Sequence, residues 1–282
     1  MKTITRRSVL GGLAAASAAT AIPRSWGQTK LKGRIKQSVC KWCYRDVSVE
    51  DLANAASGMG IVGMDLIGPD DWPMAFKYGV RPVMAYSGST IPDGLNAKAN
   101  HLKLEPEFRK NIDLAAKAGV PNLICFSGSR RGMSDEEGLE NCRIILDKVK
   151  AQAGDKGVMI VMELLNSKVD HKDYQCDHTR WGVELVKRVN SPRFRLLYDI
   201  YHMQIMEGDV IRTIRDNIQY IAHFHTGGVP GRNEIDQSQE LNYATVTKAI
   251  IDTGFSGYMA HEFIPKRQPL ASLREAVLLC DV

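Results

Sequence analysis

The chain has 282 residues, of which 44% are hydrophobic and 24% are charged. This composition excludes collagen-like, low-complexity and disordered chains, and six cysteines in this length exclude a small domain that depends on disulfides. The net charge of +5 comes mostly from residues 1–27, which include four basic and no acidic residues. The remaining 33 basic and 32 acidic residues nearly cancel, so the charge of the body gives no indication of nucleic-acid binding.

The first 27 residues have the pattern of an export signal. Arg6 and Arg7 form a twin-arginine pair, and an alanine-rich apolar stretch follows over 9–22. Such a pair is typical of bacterial Tat signal peptides, and the apolar stretch is short for a membrane span. The alternative is an amphipathic first helix of the mature fold. We predict a Tat signal peptide over 1–27, a mature domain over 28–282, and a periplasmic protein with no membrane attachment after cleavage.

After this segment, short apolar runs alternate with longer helical segments. The pattern predicts eight strands: Ile35–Cys40, Val62–Ile67, Arg81–Tyr86, Asn122–Phe126, Val158–Glu163, Arg195–Asp199, Ile221–His225 and Gly257–Glu262. Helices are predicted over Val49–Ser57, Glu105–Ala118, Glu136–Ala153, Thr179–Val189, Asp209–Asp216, Tyr243–Asp252 and Leu270–Leu279. The segment 68–78 is interpreted mainly as a loop.

Eight strand–helix units in about 250 residues predict an α/β fold of the (β/α)8 TIM-barrel type. The alternative is an open, doubly wound sheet. That fold would need a glycine-rich phosphate-binding turn after an early strand, and Gly58 and Gly60 precede a predicted strand instead. No linker or charge run divides the body into two domains.

Four consecutive predicted strands each end in an ionisable residue: Glu163, Asp199, His225 and Glu262. The carboxyl ends of barrel strands form one rim, so these side chains are expected to converge there. Buried carboxylates are costly and repel one another, and a divalent cation is the simplest way to hold three of them ionised together. Three oxygen donors and one imidazole therefore predict one divalent metal ion, with Mn²⁺ expected first and Mg²⁺, Co²⁺ or Zn²⁺ as alternatives.

These residues resemble those of the xylose isomerase-like barrels, specifically the hydroxypyruvate isomerase and ketose 3-epimerase branch. The resemblance covers the body after the leader and rests on His223–Glu234 with Glu240–Tyr243, on Asp199–His202, and on Gly257–Phe263. These stretches are similar to the motifs H-x-Q/H…P-G-R-x-E…G-E-x-N-Y, D-x-Y-H and G-Y…E-Y/F of that branch.

The resemblance implies a role for each matched residue. Glu163, Asp199, His225 and Glu262 would bind one divalent metal ion, and Glu163 and Glu262 would also act as the catalytic acid and base. The substrate, a small sugar or keto acid, would be bound by His202, Arg232 and Glu234. The implied reaction is isomerisation or 3-epimerisation, by proton transfer through an enediolate.

The chain departs from the hydroxypyruvate isomerase pattern at several positions. His225 stands where that branch usually has Gln, and Gln239 stands where it has Gly. Gly227-Gly228 replace Ala-Asp, and Leu164 replaces Pro. These departures leave the substrate open, and the sequence also leaves open whether the chain forms a homo-oligomer.

Two other functions fit parts of the pattern. An endonuclease IV-type enzyme would need a multi-zinc site with more histidine and acidic ligands, and the chain has only seven histidines. An exported carbohydrate-binding protein on an inactive barrel is the non-enzymatic alternative. The presence of all four ligand types at the strand ends favours an enzyme.

The segment after the first strand leaves further alternatives open. Cys40 and Cys43 form a C-x-x-C pair that could be oxidised in the periplasm, whereas the other four cysteines are interpreted as small buried hydrophobic residues. Trp42 and Tyr44 could line the barrel mouth or pack in the core.

Overall fold

The computed structural model describes residues 29–282, and the predicted signal peptide over 1–27 lies outside the described residues. Eight parallel strands form a closed barrel in chain order, with the last strand paired to the first. They are β1 Lys36–Cys40, β2 Gly63–Asp65, β3 Arg81–Tyr86, β4 Asn122–Cys125, β5 Met159–Leu164, β6 Phe194–Asp199, β7 Ile221–Thr226 and β8 Tyr258–His261. The prediction of a (β/α)8 barrel is confirmed.

Helices connect the strands on the outside of the barrel. They are α1 Val49–Met59, α2 Trp72–Lys77, α3 Lys98–Ala118, α4 Asp135–Lys156, α5 Thr179–Val189, α6 Ile200–Met206, α7 Val210–Asn217, α8 Tyr243–Asp252 and α9 Pro269–Leu279. Ser48 and Ser134 cap the amino ends of α1 and α4, because their side chains accept hydrogen bonds from backbone N–H groups in the first turns. Within residues 29–282, the longest apolar helical stretches are too short or too polar to cross a membrane.

Two short helices differ from the sequence prediction. The interpretation of 68–78 as mainly loop is wrong, because it contains α2, whose Trp72 is buried and donates its indole N–H to the Ile67 carbonyl at 3.1 Å. Helix α6 was not predicted; it begins directly after β6, where the Asp199 side chain accepts the His202 N–H at 3.2 Å. Both helices depend on single capping or tertiary contacts rather than on periodicity.

Helix α3 begins at Lys98 rather than at the predicted Glu105, and it contains Pro106. Proline lacks the N–H that would bond the carbonyl four residues earlier, that of Leu102. Leu102 is 90% exposed, so water can reach this side of the helix. Leu104 and Phe108, one on each side of the proline, are buried against the barrel and hold the early turns in place.

The core has two layers, one inside the barrel and one between the strands and the helices. All four residues of β4 are buried, as expected for a parallel strand covered on both faces. Buried acidic and histidine side chains concentrate toward the carboxyl ends of the strands; they include Asp65, Glu163, Asp199 and His225. This end of the barrel is therefore polar, and it contains the candidate site.

Gly63 of β2 offers a test of barrel packing. A Cβ atom at this position would lie 2.8 Å from Ser38 Cβ and 3.0 Å from Val83 Cγ2, which is too close on both sides. We expect Gly63→Ala to lower the free energy of unfolding by about 1–3 kcal/mol, measured by urea denaturation. The matched control is Gly154→Ala in α4, where a Cβ meets nothing within 4 Å, and which should be neutral or stabilising. Equal effects of the two substitutions would contradict the prediction.

Candidate active site

The four ionisable residues of the last four strands converge at one end of the barrel. Glu163 is the second-last residue of β5, Asp199 ends β6, His225 is the second-last residue of β7, and Glu262 follows β8. All four are buried, and one ligand atom from each lies within 4.8 Å of those of the other three. The structure thus brings together the predicted ligand set, while metal binding itself stays a prediction.

His225 lies at the centre of this cluster. Its Nδ1 is 2.8 Å from Oε2 of Glu262 and 3.2 Å from Oε1 of Glu163. Its Nε2 faces the opposite way, 3.5 Å from Oδ2 of Asp65 and 3.7 Å from Sγ of Cys40. One imidazole therefore separates the carboxylate cluster from a deeper polar group.

Arg232 is the counter-ion of the cluster. Its Nη2 donates to Oδ2 of Asp199 at 3.0 Å and also to Oε2 of Glu262. The guanidinium lies between two aromatic rings, 5.2 Å from the ring centre of Trp42 and 5.3 Å from that of Tyr201. Cation–π contacts of this kind add to the ion pairs because the rings exclude water. Arg232 and Trp42 are thus both parts of the site.

The loop that presents Arg232 is held in a strained conformation. Arg232 has φ of 58°, in the left-handed region that non-glycine residues rarely adopt. Its N–H donates to the Gly228 carbonyl at 2.8 Å, and its carbonyl accepts from Ile264 N–H at 2.7 Å. At the start of the loop, the Tyr243 hydroxyl accepts a hydrogen bond from the N–H of Gly227 and donates one to the Gly227 carbonyl. Strain of about 1–3 kcal/mol is tolerated where surrounding contacts fix the backbone, often at functional sites.

The ionisable residues of the cluster differ in their protonation. Burial raises the pKa of Asp199 to about 8 despite the attraction of Arg232, with Glu262 and Glu163 raising it further. Burial and then the charge of Glu262 also raise the pKa of Glu163. Burial would raise the pKa of Glu262 as well, but Arg232 and then His225 outweigh it and hold that pKa well below its usual range. The two glutamates are therefore electrostatically unequal.

His202, on α6, is fully buried beside the cluster. Burial lowers its pKa well below the usual range, and the charge of Arg232 acts in the same direction, so the ring is neutral. Its Nδ1 lies 2.6 Å from the side-chain amide of Asn166. Its Nε2 has no hydrogen-bond partner within the described chain and lies 3.6 Å from Asp199. An unpaired buried nitrogen is costly, so this position suits a substrate oxygen.

Glu234, the third residue expected to bind substrate, has a different environment. Its Oε1 accepts hydrogen bonds from the N–H groups of Lys266 and Arg267 at 2.9 and 3.0 Å and from the Ser272 hydroxyl at 2.9 Å. Burial would raise the pKa of Glu234, but these hydrogen bonds outweigh burial and lower that pKa. They connect the loop after β7 to the segment that follows β8. A substrate contact of Glu234 stays a prediction.

The sequence left open whether Trp42 lies at the mouth or in the core, and it did not single out Asp170. Trp42 donates its indole N–H to Oε1 of Glu262 at 2.6 Å, which places it at the mouth rather than in the core. Asp170, on the loop after β5, accepts from Asn166 at 2.6 Å and from the Tyr201 hydroxyl at 2.8 Å. The Asn166–Asp170 spacing gives no signal of this contact, because the loop geometry creates it.

Asp65 and His223 form a second buried layer below the cluster. Oδ2 of Asp65 lies 2.7 Å from Nε2 of His223, although the two groups are not aligned for a regular hydrogen bond. Burial alone would raise the pKa of Asp65, but His223 and then His225 bring it to about 2. The sequence reasoning did not single out Asp65, because the second strand was predicted to run to Ile67 and so placed Asp65 inside the strand, whereas β2 ends at Asp65.

The cysteines are unpaired in the structure. All six lie within the described residues, and each is buried. Cys40 precedes a single 3-10 turn over Lys41–Cys43 and Cys43 ends it, with Trp42 between the two cysteines. Burial raises the pKa of both thiols well above the usual range, which does not favour thiolate chemistry.

A cavity of about 540 Å³ lies at the opposite end of the barrel. It is lined by residues at the amino ends of β4, β5 and β7, including Asn122, Met159 and Ile221. Function in this fold sits at the carboxyl ends of the strands. We therefore place the candidate site at the four-residue cluster and not in this cavity.

Comparison with known proteins gives relatives of two named activities. A putative hydroxypyruvate isomerase of Danio rerio is 28% identical over 179 residues, which cover 60% of this chain and 64% of that protein. The match thus spans just under two thirds of that relative. A 2-oxo-tetronate isomerase of Haemophilus influenzae is 24% identical over 256 residues, covering 82% of this chain and 93% of that protein.

The fold is shared with solved structures. A structure described as an AP endonuclease, family 2, from Brucella melitensis superposes with a TM-score of 0.75 and 23% identity, covering 85% of this chain and 97% of that chain. A family model described as xylose isomerase-like TIM barrel matches residues 76–280, which is well over half of the chain. The chain therefore belongs to the xylose isomerase-like TIM barrel family.

Proposed function

We propose that the protein is a divalent-metal-dependent isomerase of a small sugar or keto acid, similar in activity to hydroxypyruvate isomerase. The proposal rests on one observation, the convergence of Glu163, Asp199, His225 and Glu262 within 4.8 Å. The named activities of the curated relatives, a hydroxypyruvate isomerase and a 2-oxo-tetronate isomerase, support it.

The residues present fit a divalent cation. Within residues 29–282, the three buried carboxylates contact one guanidinium, that of Arg232, and one imidazole, that of His225, and burial still raises the pKa of Asp199 to about 8. The cluster therefore has more acidic groups than it can keep ionised without another positive charge. Three oxygen donors and one imidazole suit Mn²⁺, Mg²⁺, Co²⁺ or Zn²⁺, and we propose Mn²⁺ first. A bound divalent cation would stabilise negative charge that develops on the substrate oxygens.

The two glutamates supply the proton transfers. In isomerisation, a base removes a proton from the hydroxyl-bearing carbon beside the carbonyl, and the enediolate is reprotonated at the former carbonyl carbon. Glu262 has the lowered pKa and Glu163 the raised pKa, so one glutamate is set to accept a proton and the other to hold one. Opposite shifts in a carboxyl pair are the usual basis of acid–base assignment.

Other residues orient the substrate and exclude water. Nε2 of His202 is free of partners within the described chain and can bond a substrate hydroxyl. The Arg232 guanidinium, between Trp42 and Tyr201, lies where it can bind a substrate carboxylate or hydroxyl. The buried aromatic surroundings strengthen these polar contacts by lowering the local dielectric.

A ketose 3-epimerase is the second candidate. It would use the same glutamates and reprotonate the same carbon from the opposite face. The histidine at 225 favours this candidate, because the sequence pattern of hydroxypyruvate isomerases usually has Gln there. We also propose that 1–27 directs Tat export to the periplasm, which fusion of this segment to a reporter protein would test.

Proton exchange with solvent tests the proposed function. The metal content of the purified protein is measured first, and the protein is then incubated in D₂O with hydroxypyruvate, 2-oxo-tetronate and a panel of ketoses. Isomerase activity puts deuterium on carbon and yields the isomer, whereas an epimerase returns the same ketose inverted at one carbon. Substrate binding without exchange in metal-loaded protein would favour a carbohydrate-binding protein. Cleavage of abasic DNA with several metal ions per chain would favour an endonuclease.

Replacement of either glutamate tests the acid–base assignment. We expect Glu163→Gln and Glu262→Gln each to lower kcat by at least about 10²-fold, because the amide cannot transfer the proton. The control is Glu207→Gln, which removes one of the two acceptor oxygens that bind Thr179 outside the cluster and should leave kcat near that of the wild type. Near-normal turnover of both site variants would remove the glutamates from the mechanism.

The protonation of Asp199 predicts a pH dependence of metal binding. Its pKa is raised to about 8 in the fold and is about 3.9 in an unfolded chain, so the folded protein holds an extra proton between these values. A metal ion must displace that proton, and the displacement becomes easier as the pH rises toward 8. We expect Mn²⁺ to raise the Tm more at about pH 8 than at about pH 6, with chelator-treated protein as the baseline. An equal or smaller increase at the higher pH would contradict the raised pKa of Asp199.

A further inference from the structure

The cavity at the amino end of the barrel has no role in the function proposed so far. Its volume of about 540 Å³ is in the usual range for small-molecule sites. Two arginines, Arg193 and Arg195, line this cavity, and no acidic residue of the described chain does. Its apolar walls include Met159, Ile221 and Phe255. Positive charge beside apolar walls suits an organic anion.

Arg195 occupies a position on β6 that directs its side chain into the barrel. It lies four residues before Asp199, and side chains an even number of residues apart on a strand point to the same face. Because Asp199 faces the interior at the carboxyl end, Arg195 faces it at the amino end. The rise of a parallel strand separates the two residues by about 13 Å. The cavity is therefore distinct from the candidate active site.

The guanidinium of Arg195 is partly buried without a counter-ion. Its Nη1 donates to the carbonyls of Ser191 and Phe194 at 2.8 and 2.7 Å, which fixes the orientation of the group. Within residues 29–282, its Nε and Nη2 have no hydrogen-bond partner and the side chain forms no ion pair. Burial lowers the pKa of Arg195, and Tyr220 opposes this effect only in part. A cation in this position gains from an anion that binds beside it.

Arg193 brings a second guanidinium to the cavity. Its Nη1 donates to the carbonyl of Gly157, the residue that caps the carboxyl end of α4, at 3.4 Å. Cations at such helix ends compensate the partial negative charge of the carbonyl groups. In both arginines, however, that interaction occupies one of three nitrogens. The other two nitrogens of Arg193 and of Arg195 remain available to a ligand.

We propose that this cavity is a binding site for a small organic oxyanion, a carboxylate or a phosphate, whose oxygens accept hydrogen bonds from Arg193 and Arg195. A guanidinium donates two parallel hydrogen bonds to such a group. The carbon skeleton of the ligand packs against Met159 and Phe255. The ring of Phe255 is held by an edge-to-face contact with Phe224, with ring centres 4.8 Å apart. This site depends neither on a metal ion nor on the proposed isomerase activity.

Calorimetric titration of the full chain tests the proposal with three probes: inorganic phosphate, phenyl phosphate and benzoate. The protein is first treated with a chelator, so that no metal ion binds the probes, and the buffer contains neither phosphate nor carboxylate. We expect one probe per chain, and tighter binding of phenyl phosphate than of inorganic phosphate because the ring is buried against the apolar wall. The affinities of phenyl phosphate and benzoate distinguish a phosphate site from a carboxylate site. Absence of binding by all three probes at millimolar concentration would overturn the proposal.

Substitution of the arginines locates the bound probe. We expect Arg195→Met to weaken the binding of phenyl phosphate at least about 10-fold, because it removes the charged hydrogen-bond donors and keeps an unbranched apolar side chain. Arg193→Met should also weaken binding, and it gives the answer if Arg195→Met does not fold. Unchanged affinity in the folded variants would overturn the proposal.

Two further variants exclude other locations of the probe. Arg274→Met, on α9, is the matched control, because it makes the same change of charge at an exposed residue that does not line the cavity. Wild-type affinity is expected in this variant, and weakening equal to that in Arg195→Met would show attraction by net charge alone and overturn the proposal. Binding that is lost in Arg232→Met but kept in Arg195→Met would place the probe in the candidate active site, which also overturns it.

Discussion

An excess of buried acidic groups over buried cations is the constraint on which the candidate site depends. In the part of the chain that the structure describes, Glu163, Asp199 and Glu262 share one rim of the barrel with one guanidinium, that of Arg232, and with the His225 imidazole. Arg232 contacts only two of the three carboxylates, and the pKa values follow from this: that of Glu262 is lowered, whereas those of Glu163 and Asp199 are raised. Without another cation, bound protons therefore balance part of the negative charge of the cluster.

The same constraint explains the conformation of the loop after β7. Arg232 adopts a left-handed backbone conformation between two backbone hydrogen bonds, and its side chain bridges Asp199 and Glu262 while packing between two rings. Ion pairs of a buried arginine are expensive to break, because each partner is left as an uncompensated charge. The left-handed backbone conformation places the guanidinium where it reaches both carboxylates. The conformation of this loop is thus coupled to the charges of Asp199 and Glu262, which Arg232 neutralises.

The sequence was sufficient to predict the barrel and the convergence of the four strand-end residues. Both follow from regular features: strands alternate with helices, and the carboxyl ends of parallel strands meet. The contacts of Trp42 with Glu262 and of Arg232 with Asp199 were not predictable, because residues on separate loops make them. Helix α2 was hidden for a similar reason, since a buried tryptophan stabilises six residues with little periodicity.

Asp65 shows why a residue can be overlooked even when its signal is present. It ends β2 as Asp199 ends β6, but the apolar residues Leu66 and Ile67 follow it, so the predicted strand extended to Ile67 and did not end at the aspartate. Side chains two residues apart on β7 point to the same face of the strand, so His223 lies one layer below His225. The Asp65 carboxylate contacts both imidazole rings. The polar end of the barrel thus has two layers, which meet at the imidazole of His225. The sequence of each strand predicts which residues belong to each layer. The contacts between the layers join residues of different strands, so they are known only from the closed barrel.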